Sequence, residues 1–303
     1  MEKNMKVNFD YLKERVVDSL ENTDLEFIRR ELSKLDEPTL FSGVGGSSVV
    51  SEFGAKVINT KNGIVSINSE PRDFLYRNNG AFRNVVACSY SGNNYGVELA
   101  FLNNLNHYLL ASKPNEKEGI INLNYNCDDK EKSFISLAAT LIPCSILLNY
   151  YLENNKERII DLLDEYDFDF DTECDIYEIF SGYDTSTLSK YLESTMIEAG
   201  IGIPIIHDKY SYCHGRSTLS TVYNNNAIFF DSETELDKLL IDEIRKYYKE
   251  VIVIKNGNLI SEFVNLEKCM YLTKYIAESK QKDLSSVDYN PIVKKIYKYN
   301  GQI

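Results

Sequence analysis

The stretch Pro38-Thr39-Leu40-Phe41-Ser42-Gly43-Val44-Gly45-Gly46-Ser47-Ser48 decides the architecture. Pro38 to Phe41 is a short apolar run with strand character. Gly43 to Ser48 is a turn of glycine and serine, and Val49 to Ile58 continues with helical spacing. The same order recurs where the strand-like Val85 to Cys88 leads into Ser89-Tyr90-Ser91-Gly92-Asn93-Asn94 and a helix from Tyr95 to Asn106. A strand, a Gly/Ser turn and a helix start form the usual cradle for an anion. Glycine lets the backbone N–H groups approach it, the helix N-terminus adds positive partial charge, and hydroxyls donate further bonds. Either turn alone is an ordinary loop. Two in the same context predict convergence on one phosphate-sized anion at the C-terminal edge of a parallel sheet.

Outward from these loops, the chain alternates strands and helices. Phe9 to Leu35 spaces Leu12, Val16, Leu20, Leu25, Ile28 and Leu32 as one or two amphipathic helices. Beyond the first loop the pattern predicts strand Ile64–Asn68, helix Pro71–Arg77, strand Asn84–Ser89, strand His107–Ala111, strand Gly119–Leu123 and a long helix Phe134–Leu152. An acidic, aromatic stretch, Glu165 to Glu173, reads as a surface linker. After it come strand Ile176–Ser181, a turn at Gly182–Thr185, helix Ser186–Ala199 and strand Ile203–Ile206, then a helix from Tyr212 and strand Ala227–Asp231. Helix Glu235–Lys249, strand Val251–Lys255 and helices Leu266–Lys280 and Pro291–Tyr299 complete the chain. Alternation of this kind implies parallel pairing with both sheet faces covered. The two halves share an order of elements rather than a sequence repeat, which suggests a duplicated domain. The expected boundaries are a helical segment over 1–36, a first domain over 37–164 that holds the phosphate loops, and a second over 165–303.

Composition narrows the partners. At 303 residues with 43% hydrophobic content, the chain can bury a core in two domains of ordinary size. Its net charge of −13 argues against nucleic acid or an anionic membrane, so a bound phosphate must be held by local donors. The six cysteines are scattered without a CxxC pair, and the three histidines have no zinc spacing with them, so neither disulfides nor a structural metal is expected. Met1 to Asp10 lacks the apolar core of a signal peptide. The apolar run Ile135–Leu148 is too short to span a bilayer, so a cytoplasmic location is expected.

Gly43-Val44-Gly45-Gly46-Ser47 followed by Ser89-Tyr90-Ser91-Gly92-Asn93-Asn94 resembles the sugar isomerase (SIS) domain family, whose second loop reads Ser-x-Ser-Gly-x-Thr. The likeness extends by order and spacing from Pro38 to the C-terminus. It implies two tandem three-layer α/β/α domains, each with a mainly parallel sheet, in a phosphosugar isomerase or a deglycase/deaminase. It also implies that Gly46, Ser47, Ser48, Ser89, Ser91 and Asn94 hold a sugar phosphate. Asn94 stands where the family has Thr, and Glu131-Lys132-Ser133 resembles a segment that closes over the ligand.

In tandem members a helix Glu precedes a His-Gly segment. Glu198 and His214-Gly215 keep that separation, with Arg216 as a further ligand contact. The resemblance assigns Glu198 the proton shuttle between C1 and C2 of an open-chain sugar. It gives His214 ring opening, typically from the partner subunit of a homodimer. A C-terminal lysine falls at Lys295, with Lys294 and Lys298 as alternatives. These roles are chemically coherent. A half-buried Glu is a base of raised pKa, a lone His passes protons near neutrality, and a Lys stabilises an enediolate. Glu193 is the competing carboxylate on the same helix; His107 and His207, at strand ends, read as structural. No cofactor is required. The reading of a different class is a non-catalytic sugar-phosphate sensor.

Overall fold

The computed structural model describes residues 9–76, 79–127, 133–221 and 225–285. It divides into two compact units, the first ending at Leu162 and the second covering Leu163–Ser285. The first opens with helices α1 (Leu12–Asn22) and α2 (Leu25–Leu32). It continues with strand β1 (Thr39–Ser42), helix α3 (Gly46–Asn62), strand β2 (Ser66–Ser69), a 3-10 turn (Pro71–Leu75) and strand β3 (Asn84–Cys88). Helix α4 (Tyr95–Ala100), strands β4 (Asn106–Ala111) and β5 (Ile120–Asn124), and helices α5 (Ala138–Tyr151) and α6 (Lys156–Leu162) follow.

The five strands pair in parallel in the order β2-β1-β3-β4-β5. The central strands β1 and β3 are buried along their whole length, as strands covered on both faces must be. Leu40, Val85, Ala87, Leu109 and Ala111 face the side covered by the 3-10 turn and α4. Helices α3 and α5 pack together against the other side, joined by α1 and α2.

The second unit contains strand β6 (Ile176–Ser181), helix α7 (Ser186–Ala199), strand β7 (Ile203–Asp208) and the one-turn helix α8 (Lys209–Tyr212). Strand β8 (Asn226–Asp231), helix α9 (Glu235–Ile244), strand β9 (Glu250–Lys255) and helix α10 (Leu259–Ser279) complete it. Its parallel sheet runs β7-β6-β8-β9. Helices α7 and α10 pack on one face, while α9 covers Phe180, Ala227 and Phe229 on the other. Full burial of each such Phe contributes about 2–3 kcal/mol.

Several sequence-based boundaries move, each for a physical reason. The helix expected over Tyr95–Asn106 stops at Ala100, because Phe101 to Leu105 turn the chain back into β4. The helix expected from Phe134 begins at Ala138, so Ser133 precedes it; Glu131, Lys132 and the helix predicted over Pro291–Tyr299 lie outside the described residues. The last described helix starts at Leu259 rather than Leu266, because Asn258 caps it with bonds from Ile260 N and Ser261 N. Glu165 to Glu173 forms no helix or strand, yet it is no free linker. Tyr166 packs edge-on against Tyr271, and the Phe170 ring lies 5.0 Å from that of Tyr275, both on α10. No described helix is long and apolar enough to cross a membrane, and all six cysteines are free.

Gly54 tests the packing of α3 on the sheet. A Cβ at this position would stand 2.6 Å from Cε1 of the fully buried Phe41. Replacing a helical glycine by alanine ordinarily stabilises by about 0.5–1 kcal/mol, whereas overpacking a closed core costs about 1–3 kcal/mol. The contact is close enough for the second effect to win. Gly54→Ala is therefore expected to lower the urea midpoint with an unchanged m value.

Candidate anion site and acid–base residues

In the first unit β1 is followed to one side by β2, and the chain then crosses to lay β3 on the other side. The open crevice of such a sheet lies outside the C-terminal ends of the two strands flanking that crossover. The register Ser42↔Ala87 brings the two Gly/Ser loops to this point, one after β1 and one after β3. A small recess there is lined by Gly43, Val44, Cys88, Asn94 and Gly96, with Pro71 at its side. Burial pushes the Cys88 thiol far up, so it lines the recess as a neutral group.

The first loop leads into α3 through Gly45, whose φ of 59° and ψ of −131° belong to glycine alone. The helix has no side-chain cap and no acidic residue in its first turn, so its positive end is left unneutralised. By contrast, α9 begins with a Thr234 cap and places Glu235 and Asp237 in its first turn. Ser47 N and Ser48 N are used by turn carbonyls at 3.2 and 2.8 Å. The Ser47 hydroxyl has no hydrogen-bond partner among the described residues, and Ser48 is buried. Gly46 lies close against another segment: a Cβ there would stand 2.5 Å from Ser136 Oγ. Ser136 accepts a bond from Thr140 Oγ1 at 2.8 Å, which leaves its own proton to donate. Sequence alone does not single out this third hydroxyl segment; the family resemblance points to Glu131-Lys132-Ser133 instead. The available signal was a Ser and a Thr one helical turn apart at the start of the most apolar helix.

In the second loop Ser89 is buried, and its Oγ accepts from Gly92 N at 3.2 Å and from Asn94 Nδ2 at 3.0 Å. With both lone pairs engaged, the Ser89 hydroxyl can act further only as a donor. The Asn94 Oδ1 caps α4 by accepting from Val97 N at 3.0 Å, so this side chain serves the loop itself. Ser91 is half-buried, with no hydrogen-bond partner among the described residues.

The equivalent crevice of the second unit is filled from within. Gly182 N donates to Thr185 Oγ1 at 3.0 Å, and Asp184 accepts from Ser232 Oγ at 2.5 Å. The buried Lys209 bonds Asp237 at 2.8 Å and Ser232 at 3.0 Å. The one buried lysine at this edge among the described residues is thus already paired with Asp237 and Ser232.

Glu198 is the penultimate residue of α7. It is half-buried and accepts from Ser194 Oγ at 2.9 Å. Burial raises its carboxyl above the usual range, and the Ser194 bond only partly opposes this. Glu193 is exposed. His214 follows α8 and is exposed, with its N–H donating to Ser211 O at 3.1 Å; the exposed Arg216 donates to Ile206 O at 3.2 Å. The structure does not bring Glu198 and His214 together. Helix α7 runs back to the edge where β7 begins, while His214 follows the opposite end of β7. The six residues of β7 separate the two edges by about 20 Å. Lys294, Lys295 and Lys298 lie outside the described residues. Among the described residues no group of three or more His, Cys, Asp and Glu could hold a metal ion.

No protein-family model and no curated protein matches the chain. Solved structures do. Tagatose-6-phosphate ketose/aldose isomerase from Escherichia coli superposes with a TM-score of 0.74 at 13% identity, over 95% of this chain and 97% of that one. Glucosamine-6-phosphate deaminase from Thermotoga maritima gives 0.69 at 15% identity, over 92% and 94%. The C-terminal domain of glucosamine-fructose-6-phosphate aminotransferase from Francisella tularensis gives 0.69 at 14%, over 94% and 98%. The likeness is one of fold, and it agrees with the resemblance carried by the two loops. The chain has the SIS fold.

Three outcomes follow from the site geometry. Ser89→Ala removes an acceptor used by two donors and is expected to cost about 1–2 kcal/mol. Ser91→Ala is expected to leave urea unfolding unchanged. Glu198→Gln is expected to behave unusually for a substitution of a half-buried polar group. A carboxyl raised in the folded state contributes stability that is present below its unfolded pKa of about 4.3 and lost as pH rises through the higher folded value. The glutamine variant should therefore gain on the native protein as pH climbs from about 4 to about 7, measured by urea midpoints across that range.

Proposed function

We propose that this protein acts on a sugar phosphate by moving a proton between adjacent carbons, as an aldose–ketose isomerase or in the related deglycation or deamination through the same enediol. The observation that carries the reading is the register that ends β1 and β3 at one edge, where one loop leads into the uncapped helix start at Gly46 and the other holds the buried Ser89, whose hydroxyl has only a proton left to give. Phosphate suits a recess that offers donors and positive partial charge within an acidic chain. Ser47, Ser48 and Ser91 complete the ligand set on this reading, each half of the chain being one SIS-type domain. The solved structures of similar fold bear the names of a phosphosugar isomerase and a phosphosugar deaminase, which supports this class.

Glu198 takes a proton from C2 and returns it to C1. Burial raises its carboxyl, which makes it a stronger base than an ordinary surface Glu. His214 passes a proton from the hydroxyl to the ring oxygen as the sugar opens, Lys295 stabilises the enediolate, and Arg216 contacts the ligand. Since one unit holds Glu198 and His214 on opposite edges, His214 is supplied by a second copy in a homodimer. The sensor reading draws support from the same separation and from Asn94, which spends its carbonyl on capping α4.

The two readings separate in D2O with a panel of hexose and pentose phosphates and their amino and glycated-amine derivatives. The native protein is expected to introduce deuterium at C1 or C2 of one member, followed by proton NMR. Glu198→Gln should slow this exchange by about 10²–10⁴-fold, and Ser91→Ala should raise KM with little change in kcat. Saturable binding without exchange across the panel would overturn the enzyme and establish the sensor.

A further inference from the structure

Glu178, the third residue of β6, is 0% exposed and takes no part in the reaction outlined above. Its carboxylate accepts from His207 Nε2, Asn225 Nδ2 and Tyr248 Oη, each at 2.7 Å. Burial alone would raise this carboxyl, but the three donors together outweigh it and hold the group below its ordinary value. An ionised carboxylate only accepts, so every partner must donate. Tyr248 therefore spends its proton on Glu178, and the 3.2 Å contact between the Tyr212 and Tyr248 hydroxyls runs from Tyr212 to Tyr248. His207 donates through Nε2, the tautomer that leaves its buried Nδ1 without an unmet proton.

This directed chain ends at Tyr212, two residues before His214 in the sequence. Tyr212 is the last residue of α8, 4% exposed, with its ring 4.7 Å from Phe180 and 5.2 Å from His207. A four-residue helix has no stability of its own. Asp208 caps its start through Ser211 N at 2.9 Å, and Tyr212 pins its end. The next residues, Cys213 to Arg216, are exposed. A fully buried carboxylate adds little stability over apolar packing of the same volume. It adds direction instead: a fixed acceptor that admits one arrangement of Tyr248 and, through it, one of Tyr212.

We infer that Tyr248 and Tyr212 are positioning residues for His214, holding the His214–Arg216 segment in place through a hydroxyl chain anchored on buried Glu178. Its consequence for turnover rests on the role given to His214 above; the structural coupling does not.

The chain's three histidines make the test direct, because imidazole 15N–1H correlations give one set of peaks each. Tyr248→Phe and the milder Tyr212→Phe each remove one oxygen and keep the ring. Both are expected to move the His214 peaks and to lower kcat about tenfold with KM within about twofold of the native value. The double variant should fall no further than either single one, since both break the same chain. Tyr150→Phe, which loses a 2.6 Å bond to Asn62 in the first unit, should leave the His214 peaks and kcat unchanged. If Tyr248→Phe and Tyr212→Phe lower thermal stability as Tyr150→Phe does while the His214 peaks stay put, the inference is overturned. If the peaks move but the native protein turns over no sugar phosphate, the positioning chain stands and the catalytic reading falls.

Discussion

The parallel pairing of β1 with β3 is the constraint on which the first unit depends. Parallel strands need crossovers, and here the chain lays β2 on one side of β1 before returning to place β3 on the other. Both strands then end at the same edge with neighbouring loops, and the register Ser42↔Ala87 fixes how they meet. Everything said of the anion site follows from that meeting. The uncapped end of α3, the donor hydroxyl of Ser89 and the glycine-only conformation at Gly45 lie on the two loops that leave this edge, because the parallel register of two buried strands ends both of them there.

The second unit repeats the strand order and reverses the chemistry. Its crossover lies between β6 and β8, with turn and helix start in the corresponding places. Yet Asp184, Ser232, Lys209 and Asp237 satisfy one another there. A crevice is a property of topology, while its ligand depends on which polar groups remain unmet. In the first unit these are donors; in the second the buried lysine is already spent on Asp237.

The second unit also buries a charged group on the face covered by α9. Glu178 with its three donors sits among Phe180, Phe229 and Tyr212, and burying a charge in such surroundings is tolerable only because every one of those donors is aimed at it. His207, at a strand end, reads in sequence as a structural histidine, and its bond to Glu178 agrees with that. Glu178 is not legible in the same way: inside the apolar run Ile176–Ser181, a single Glu gives no sign of which residues will reach it.

The sequence by itself determined the local elements and the class of fold. Gly43–Ser48 and Ser89–Asn94 carried their turn chemistry in residue type alone, and the alternation of apolar runs with helical spacing implied parallel sheets. Where elements end was less legible. Whether Phe101 to Leu105 continue a helix is settled by the return into β4, and the start of α10 by the Asn258 cap. Only the tertiary structure decided which hydroxyls remain free to donate, because that depends on partners distant in sequence. Ser136 reaches Gly46 only when α5 packs on α3. Likewise, Glu198 and His214 keep a suggestive separation along the chain, but a helix that runs back and a strand that runs forward place them at opposite edges of the sheet. Spacing in sequence records how many residues lie between two groups; the direction of each element decides where they end up.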